Sequence, residues 1–150
     1  MPIPKEMARM IRERDLCVLA TSAGDVPHAS LMSYAVEPDL QYIHMATPAN
    51  SRKWANLKKN PSMALLIDER EKAVAGNATP TRAQTRALTV GCELFPMEDD
   101  EEKTRILGIL AAAHPHLQDF LAAPEIEVIR CKPRWLLLLT GAEHSEFINL

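Results

Sequence analysis

The sequence predicts a mainly β protein, a single domain built as a mostly antiparallel barrel of six or seven strands with helices at its periphery. Three observations lead there. Short apolar runs alternate with Gly, Pro, Asn and Asp turn clusters along the chain. Most connections between the runs are too short for right-handed crossovers, so neighbouring strands pair antiparallel. Such a sheet protects its edges best by closing or nearly closing. With 150 residues, 47% of them apolar and 25% charged, the chain has the size and composition of one domain with a packed core.

The elements follow in order. Residues 4–14 carry Met7, Met10 and Ile11 at helical spacing among charges and read as a short amphipathic helix. Residues 16–21 and 29–36 are apolar runs separated by the turn cluster Gly24-Asp25-Val26-Pro27, and a third strand, 40–47, follows Glu37-Pro38-Asp39. Residues 50–60 turn helical, with Asn50 as a candidate N-cap, Trp54 and Leu57 on one face, Lys58 and Lys59 in the last turn, and Pro61 as the stop. Strand 63–67 leads into the polar stretch 68–82, a long loop containing Gly76, Asn77 and Pro80. Strand 87–94 precedes a helix over 99–113, acidic at its start, and helical turns over 114–123 end at Pro124. Residues 126–131 and 134–140 read as the last two strands, and no repeat or linker divides residues 1–150.

Several function classes are disfavoured. A net charge of −3 does not suit a general nucleic-acid binder, so any phosphate recognition is local. The longest apolar stretches, 106–113 and 135–139, are far shorter than the roughly 20 residues that cross a bilayer. The N-terminal residues are charged where a signal peptide needs an apolar segment, so a cytoplasmic location is expected. Cys17, Cys92 and Cys131 are widely spaced and sit in strand-like runs, which suits reduced core thiols. His114 and His116 lack visible partner ligands, so no metal site is expected, and the acidic run 98–102 suits a helix N-terminus better than a calcium loop. No Ser-His-Asp set or carboxylate pair emerges, leaving catalytic residues unassigned.

The segment with most chemistry is Thr47-Pro48-Ala49-Asn50-Ser51-Arg52-Lys53, which leaves a strand and enters a helix. Unpaired N–H groups of the first turn, the Ser51 hydroxyl and the two cations would serve a phosphate. The same residues would also suit a solvated basic helix.

This pattern resembles the pyridoxamine 5′-phosphate oxidase-like, FMN-binding split-barrel family. The resemblance rests on Thr47, a three-residue spacer and Ser51-Arg52-Lys53, followed by Asn56-Leu57-Lys58-Lys59-Asn60-Pro61 and an apolar strand. Upstream, Leu19-Ala20-Thr21 and Gly24-Asp25-Val26-Pro27-His28 are similar to the family's first strand and turn. The resemblance implies a homodimeric split barrel with FMN at the subunit interface. Arg52 and Lys53 would hold its phosphate, Thr47 and Ser51 would complete the cradle, and Ser30, Leu31, Met32 and Ser33 would lie along the ring system. Arg86 falls where the family places a polar contact to the flavin, and Trp135 is a candidate contact across the dimer. Ser30 stands where the oxidase has an arginine, and the chain ends at Leu150 without the oxidase's basic C-terminal region, so oxidation of pyridoxamine phosphate itself is not expected. The expectation is an FMN-dependent oxidoreductase acting on an unidentified small molecule. The alternative is a non-catalytic protein that binds or senses a flavin, a deazaflavin or haem.

Overall fold

The computed structural model describes residues 2–69 and 84–150. Most of the loop expected over 68–82 therefore lies outside the described residues. Helix α1 (Lys5–Glu13) buries Met7, Met10 and Ile11, as their spacing predicts. Strands β1 (Leu16–Ala23) and β2 (Val26–Ser33) form a hairpin whose two-residue turn, Gly24 and Asp25, has φ of 56° and 62°. Two positive φ values in succession match the twist of the flanking strands, and Gly and Asp accept them with little strain. The remaining elements are β3 (Ala35–Val36), β4 (Ile43–Pro48), α2 (Arg52–Lys59), β5 (Ser62–Asp68), β6 (Arg86–Leu94), α3 (Asp100–Ala113), a 3₁₀ turn (Pro115–Leu117), α4 (Gln118–Leu121), β7 (Ile126–Thr140) and β8 (His144–Asn149).

The eight strands form one antiparallel sheet in the order β2-β1-β5-β6-β7-β4-β3, with β8 also on β7. It is the mainly β, mostly antiparallel split barrel that the sequence predicts. β2 and β3 are consecutive in the chain yet lie at opposite ends of the sheet, separated by Tyr34 alone. The two edges therefore meet at Tyr34 and are not bonded to one another along their length. The corner is held on three sides: the Tyr34 N–H donates to the Asp15 carbonyl (2.9 Å), its hydroxyl to the Ile11 carbonyl (2.7 Å), and its carbonyl accepts from His114 Nε2 (2.7 Å). This is why the apolar run 29–36 is two strands with different partners.

Other boundaries differ for identifiable reasons. β4 begins at Ile43 because Leu40 has a positive φ of 55° and Asp39 accepts the Gln41 N–H in a turn. The two strands expected at 126–131 and 134–140 are one, since a register shift beside Cys92 absorbs an extra residue of β7 next to Pro133. A bulge relieves proline of the ladder bond it cannot make. β8 is mostly exposed and polar, so it lacks the alternation that announces a half-buried strand.

Two cores result. One fills the barrel and includes Leu19, Met45, Leu65, Val90, Ile129 and Leu136, with α1 packed against it. The other lies outside β3, β4 and β7, where Ile106 and Leu110 of α3 pack on Ala46, Ile126 and Val128. The three cysteines are unbridged and buried, and burial pushes the Cys17 thiol up to about 12, which suits packing and not nucleophilic chemistry. No helix among the described residues is long and apolar enough to cross a membrane.

No described helix covers the remaining outer face. Register places Leu31, Val18, Leu66, Thr89, Leu137 and Phe147 in one row across β2, β1, β5, β6, β7 and β8. Leu31 is 69% and Phe147 57% exposed. The next row, Ala29, Ala20, Ala64 and Gly91, is a strip of small side chains that ends at Trp135.

Two predictions follow from this packing. A Cβ on Gly91 would lie 1.9 Å from Trp135 Cε2, so the indole lies directly over the glycine. Gly91→Ala should displace the ring and cost about 1–3 kcal/mol, measured by chemical denaturation with a shift in tryptophan emission; an unchanged midpoint would show that the indole is not packed there. The second concerns His44, which is fully buried, with Nε2 3.1 Å from Glu37 Oε2 and Nδ1 unpartnered among the described residues. The carboxylate accepts only, so Nε2 carries the proton. Burial holds the imidazole below its ordinary value near 6.5 even though Glu37 opposes this. Glu37 is also held low, first by its hydrogen bond from Arg105 and then by His44. The unfolded chain protonates more readily at both sites, so stability falls as pH drops below the ordinary imidazole value and falls further through the carboxylate range. Urea midpoints should decline between about pH 7.5 and about pH 5.5, and His44→Gln should flatten that decline; an equally steep profile in the variant would assign it elsewhere.

Candidate functional site

Away from Tyr34, α2 bridges the two sides of the seam between the sheet edges. Thr47 belongs to β4 on one side, while Thr21 and Ser22 belong to β1 on the other, and β1 and β4 share no hydrogen-bonded ladder. Thr47 Oγ1 donates to Ser51 Oγ (2.8 Å), and Ser51 Oγ also accepts from the Trp54 N–H (3.2 Å), capping the helix. Ser51 is thus the N-cap, one residue beyond the Asn50 that the sequence suggested. At the helix's other end, Asn56 Nδ2 donates to Thr21 Oγ1 (3.1 Å) and Asn60 Nδ2 to Ser22 Oγ (3.2 Å).

The first turn of α2 contains no acidic residue, in contrast with Glu6 in α1 and Asp100, Glu101 and Glu102 in α3. Arg52 is exposed and Lys53 half-buried, and neither forms a hydrogen bond or ion pair with a described residue. Among the described arginines Arg52 is alone in this. Arg9 and Arg86 pair with glutamates of the α1 cluster, Arg105 with Glu37 and Glu102, Arg134 with Glu93, and Arg130 bonds the Phe95 carbonyl. A helix N-terminus carrying two unneutralised cations and a hydroxyl is suited to an anion.

Edge strand β2 lies beside β1, on the Thr21 side of the seam. Cross-strand pairing sets His28 beside Thr21, Ser30 beside Leu19 and Met32 beside Cys17, so these three face inward. Ser30 Oγ and His28 Nδ1 are buried without a hydrogen-bond partner among the described residues. Orphaned polar atoms on a half-buried edge strand are costly unless a ligand or second chain satisfies them.

The structure therefore gathers Thr47, Ser51, Arg52 and Lys53 at one helix end and turns Ser30 and Met32 inward on the seam's other edge. Leu31 and Ser33 project to the outer face instead. Arg86 lies at the opposite end of the sheet, where it pairs with Glu6 and with Glu69 (3.3 Å) beside Arg9. Sequence reading did not single out His28, Thr21 or Asn56 as site residues. Strand parity could have marked His28, which shares the face of Ser30 and Met32. Nothing local could have paired Thr21 with Asn56, 35 positions away.

The sequence model of pyridoxamine 5′-phosphate oxidase matches residues 3–138. No curated protein matches the chain by sequence. Among solved structures, the haem-binding protein from Mycobacterium smegmatis is similar with a TM-score of 0.78 at 16% identity, over 99% of this chain and 60% of that one. This chain thus spans well under two thirds of that protein. HutZ, the haem storage protein from Vibrio cholerae, gives a TM-score of 0.68 at 17% identity, over 96% of this chain and 100% of its own. General Stress Protein 26 from Bacillus anthracis gives 0.66 at 19%, over 97% and 98%. At these identities the likeness to solved structures is one of fold. The match of the family model, by contrast, extends over β1 to β7 and includes the helix that crosses the seam, so this chain belongs to the pyridoxamine 5′-phosphate oxidase family.

Proposed function

We propose that this protein is a flavoprotein that holds FMN in the seam and uses it as an oxidoreductase on a small molecule. The observation that carries the reading is the cation pair Arg52 and Lys53, without a partner among the described residues, at a capped helix N-terminus, taken together with two orphaned polar atoms on edge strand β2. An anion-bearing cofactor fits these residues. Arg52 and Lys53 would hold the phosphate, with Ser51 and the first-turn N–H groups completing the cradle. Thr47 keeps the Ser51 hydroxyl in place by donating to it. Ser30, and His28 beside it, would meet polar atoms of the cofactor along β2, while Met32 offers an apolar wall. When bound, FMN supplies hydride or electron transfer that no side chain here can supply.

A second copy of the chain would complete the site. The row from Leu31 to Phe147, Thr89 apart, is an apolar strip with Leu31, Leu66 and Phe147 exposed, and it is continuous with edge strand β2. Leu31 and Ser33 face it, so a homodimer formed there would bring both within reach of a shared flavin. Trp135, lying over Gly91 on the same face, is positioned for contact with the partner. Cytoplasmic function is part of the same reading.

A haem-binding role is the second reading, supported by the names of the M. smegmatis and V. cholerae neighbours. The same cations would suit haem carboxylates as well as a phosphate.

Two measurements test the proposal. The purified protein should bind FMN more tightly than riboflavin, and Arg52→Ala with Lys53→Ala should remove that preference. With each charge-assisted contact contributing roughly 1.5–3 kcal/mol, FMN affinity should fall on the order of a hundredfold or more while riboflavin binding changes little. Equal wild-type affinity for the two flavins, or stoichiometric haem uptake with no flavin binding, would reject the FMN reading. Sedimentation should give a dimer that Leu66→Arg, in the middle of the apolar row, converts to a monomer; a dimer in the variant would place the interface elsewhere.

A further inference from the structure

We infer that Thr21 and Asn56 are positioning residues for the anion cradle: their buried hydrogen bond fixes α2 against β1, and with it the place of Arg52 and Lys53 at the helix N-terminus. The inference rests on the cradle reading above and adds residues that touch no ligand. Helix α2 is tied to β4 at its N-cap by Thr47 and to β1 by two amide–hydroxyl bonds one helical turn apart, from Asn56 and Asn60. The Asn60–Ser22 bond is part-buried, where water can replace either partner. Thr21 and Asn56 are 4% and 9% exposed, so neither has an alternative partner at hand when the other is removed. Leu57 and Trp54 anchor the helix to the barrel core, but apolar contacts are non-directional and allow sliding along the seam. The Thr21–Asn56 bond is directional.

Its register gives it leverage. Thr21 is paired with His28 on the inward face, so the residue that receives the helix also stands beside the orphaned imidazole of β2. One bond therefore sets the helix relative to β1 and to the edge strand paired with it. Releasing it should shift the cations relative to β2 without removing any cradle residue. The phosphate contacts would suffer most, because a charge-assisted hydrogen bond depends steeply on distance and angle, whereas ring contacts spread over a strand do not.

The test compares FMN and riboflavin by fluorescence titration of the full chain. Thr21→Val is nearly isosteric and removes the hydroxyl. Because it leaves the Asn56 amide buried and unpaired, the double variant Thr21→Val with Asn56→Leu replaces both polar groups and protects folding. Thr21→Ser keeps the bond. The two valine variants should bind FMN about tenfold more weakly, the loss of roughly one charge-assisted contact. Riboflavin affinity should stay within about twofold, and Thr21→Ser should retain the wild-type preference. A double variant that keeps the wild-type preference would overturn the positioning role, as would equal losses of both flavins, which mark general structural damage. A wild-type protein with no preference for FMN would overturn the cradle reading and this inference together, so the two failures are distinguishable.

Discussion

A seam that backbone hydrogen bonds do not close governs this molecule. The sheet runs continuously from β2 to β3, and these edge strands are joined covalently at Tyr34 but share no ladder. An open pair of edges is a liability in water, since unpaired N–H and C=O groups template association. Here side chains close the gap. Tyr34 is held by α1, by the backbone before β1 and by His114, while α2 bridges the two sides of the seam on three side-chain hydrogen bonds. Such a closure is directional, as a hydrogen bond depends on angle as well as distance. The proposed ligand site lies where the barrel fails to close.

The charges are arranged around the same constraint. At the far end of the sheet, Glu6, Arg9, Glu13, Glu69 and Arg86 neutralise one another and tie α1 to β5 and β6. On the outer flank, Glu37, Glu102 and Arg105 join α3 to the β3–β4 region, and Arg130 sits over the rings of Tyr42 and Phe95 at 4.9 and 5.1 Å. Arg52 stands outside these networks. A paired surface cation contributes little to binding a further anion, whereas an unpaired one at a helix N-terminus acts with the dipole. What distinguishes α2 is the absence of neutralising partners more than the number of its charges.

The two faces of the sheet have different tasks. Outside β3, β4 and β7 the second core covers the strands, and β4 is almost wholly buried as a result. Outside β2, β1, β5 and β6 no helix among the described residues does so, and the register aligns exposed side chains in rows. Because parity alternates, β2 turns Ser30 and Met32 to the barrel interior and Leu31 and Ser33 to the outer face. One strand thus borders both the proposed cofactor site and the proposed subunit interface.

Much of this was legible in the sequence, for local reasons. Apolar spacing placed α1 and α3, turn residues placed the β1–β2 hairpin, and the segment from Thr47 to Lys53 marked a strand running into a capped, basic helix N-terminus, since each feature depends on residues only a few positions apart. Tertiary structure decided the rest. Pro133 split β7 on paper because a central strand ordinarily excludes proline, and only the bulge opposite Cys92 reveals how it is accommodated. β8 has no apolar face of its own and exists because β7 offers it an edge. Arg86 carried the same charge as Arg52 in the sequence, but the fold brings Glu6 and Glu69 to one and no partner among the described residues to the other. Thr21 and Asn56 met only when α2 crossed the seam. Spacing along the chain determines which faces are apolar and where helices can begin, while contacts between distant residues are set by strand order and register, which no short stretch of sequence contains.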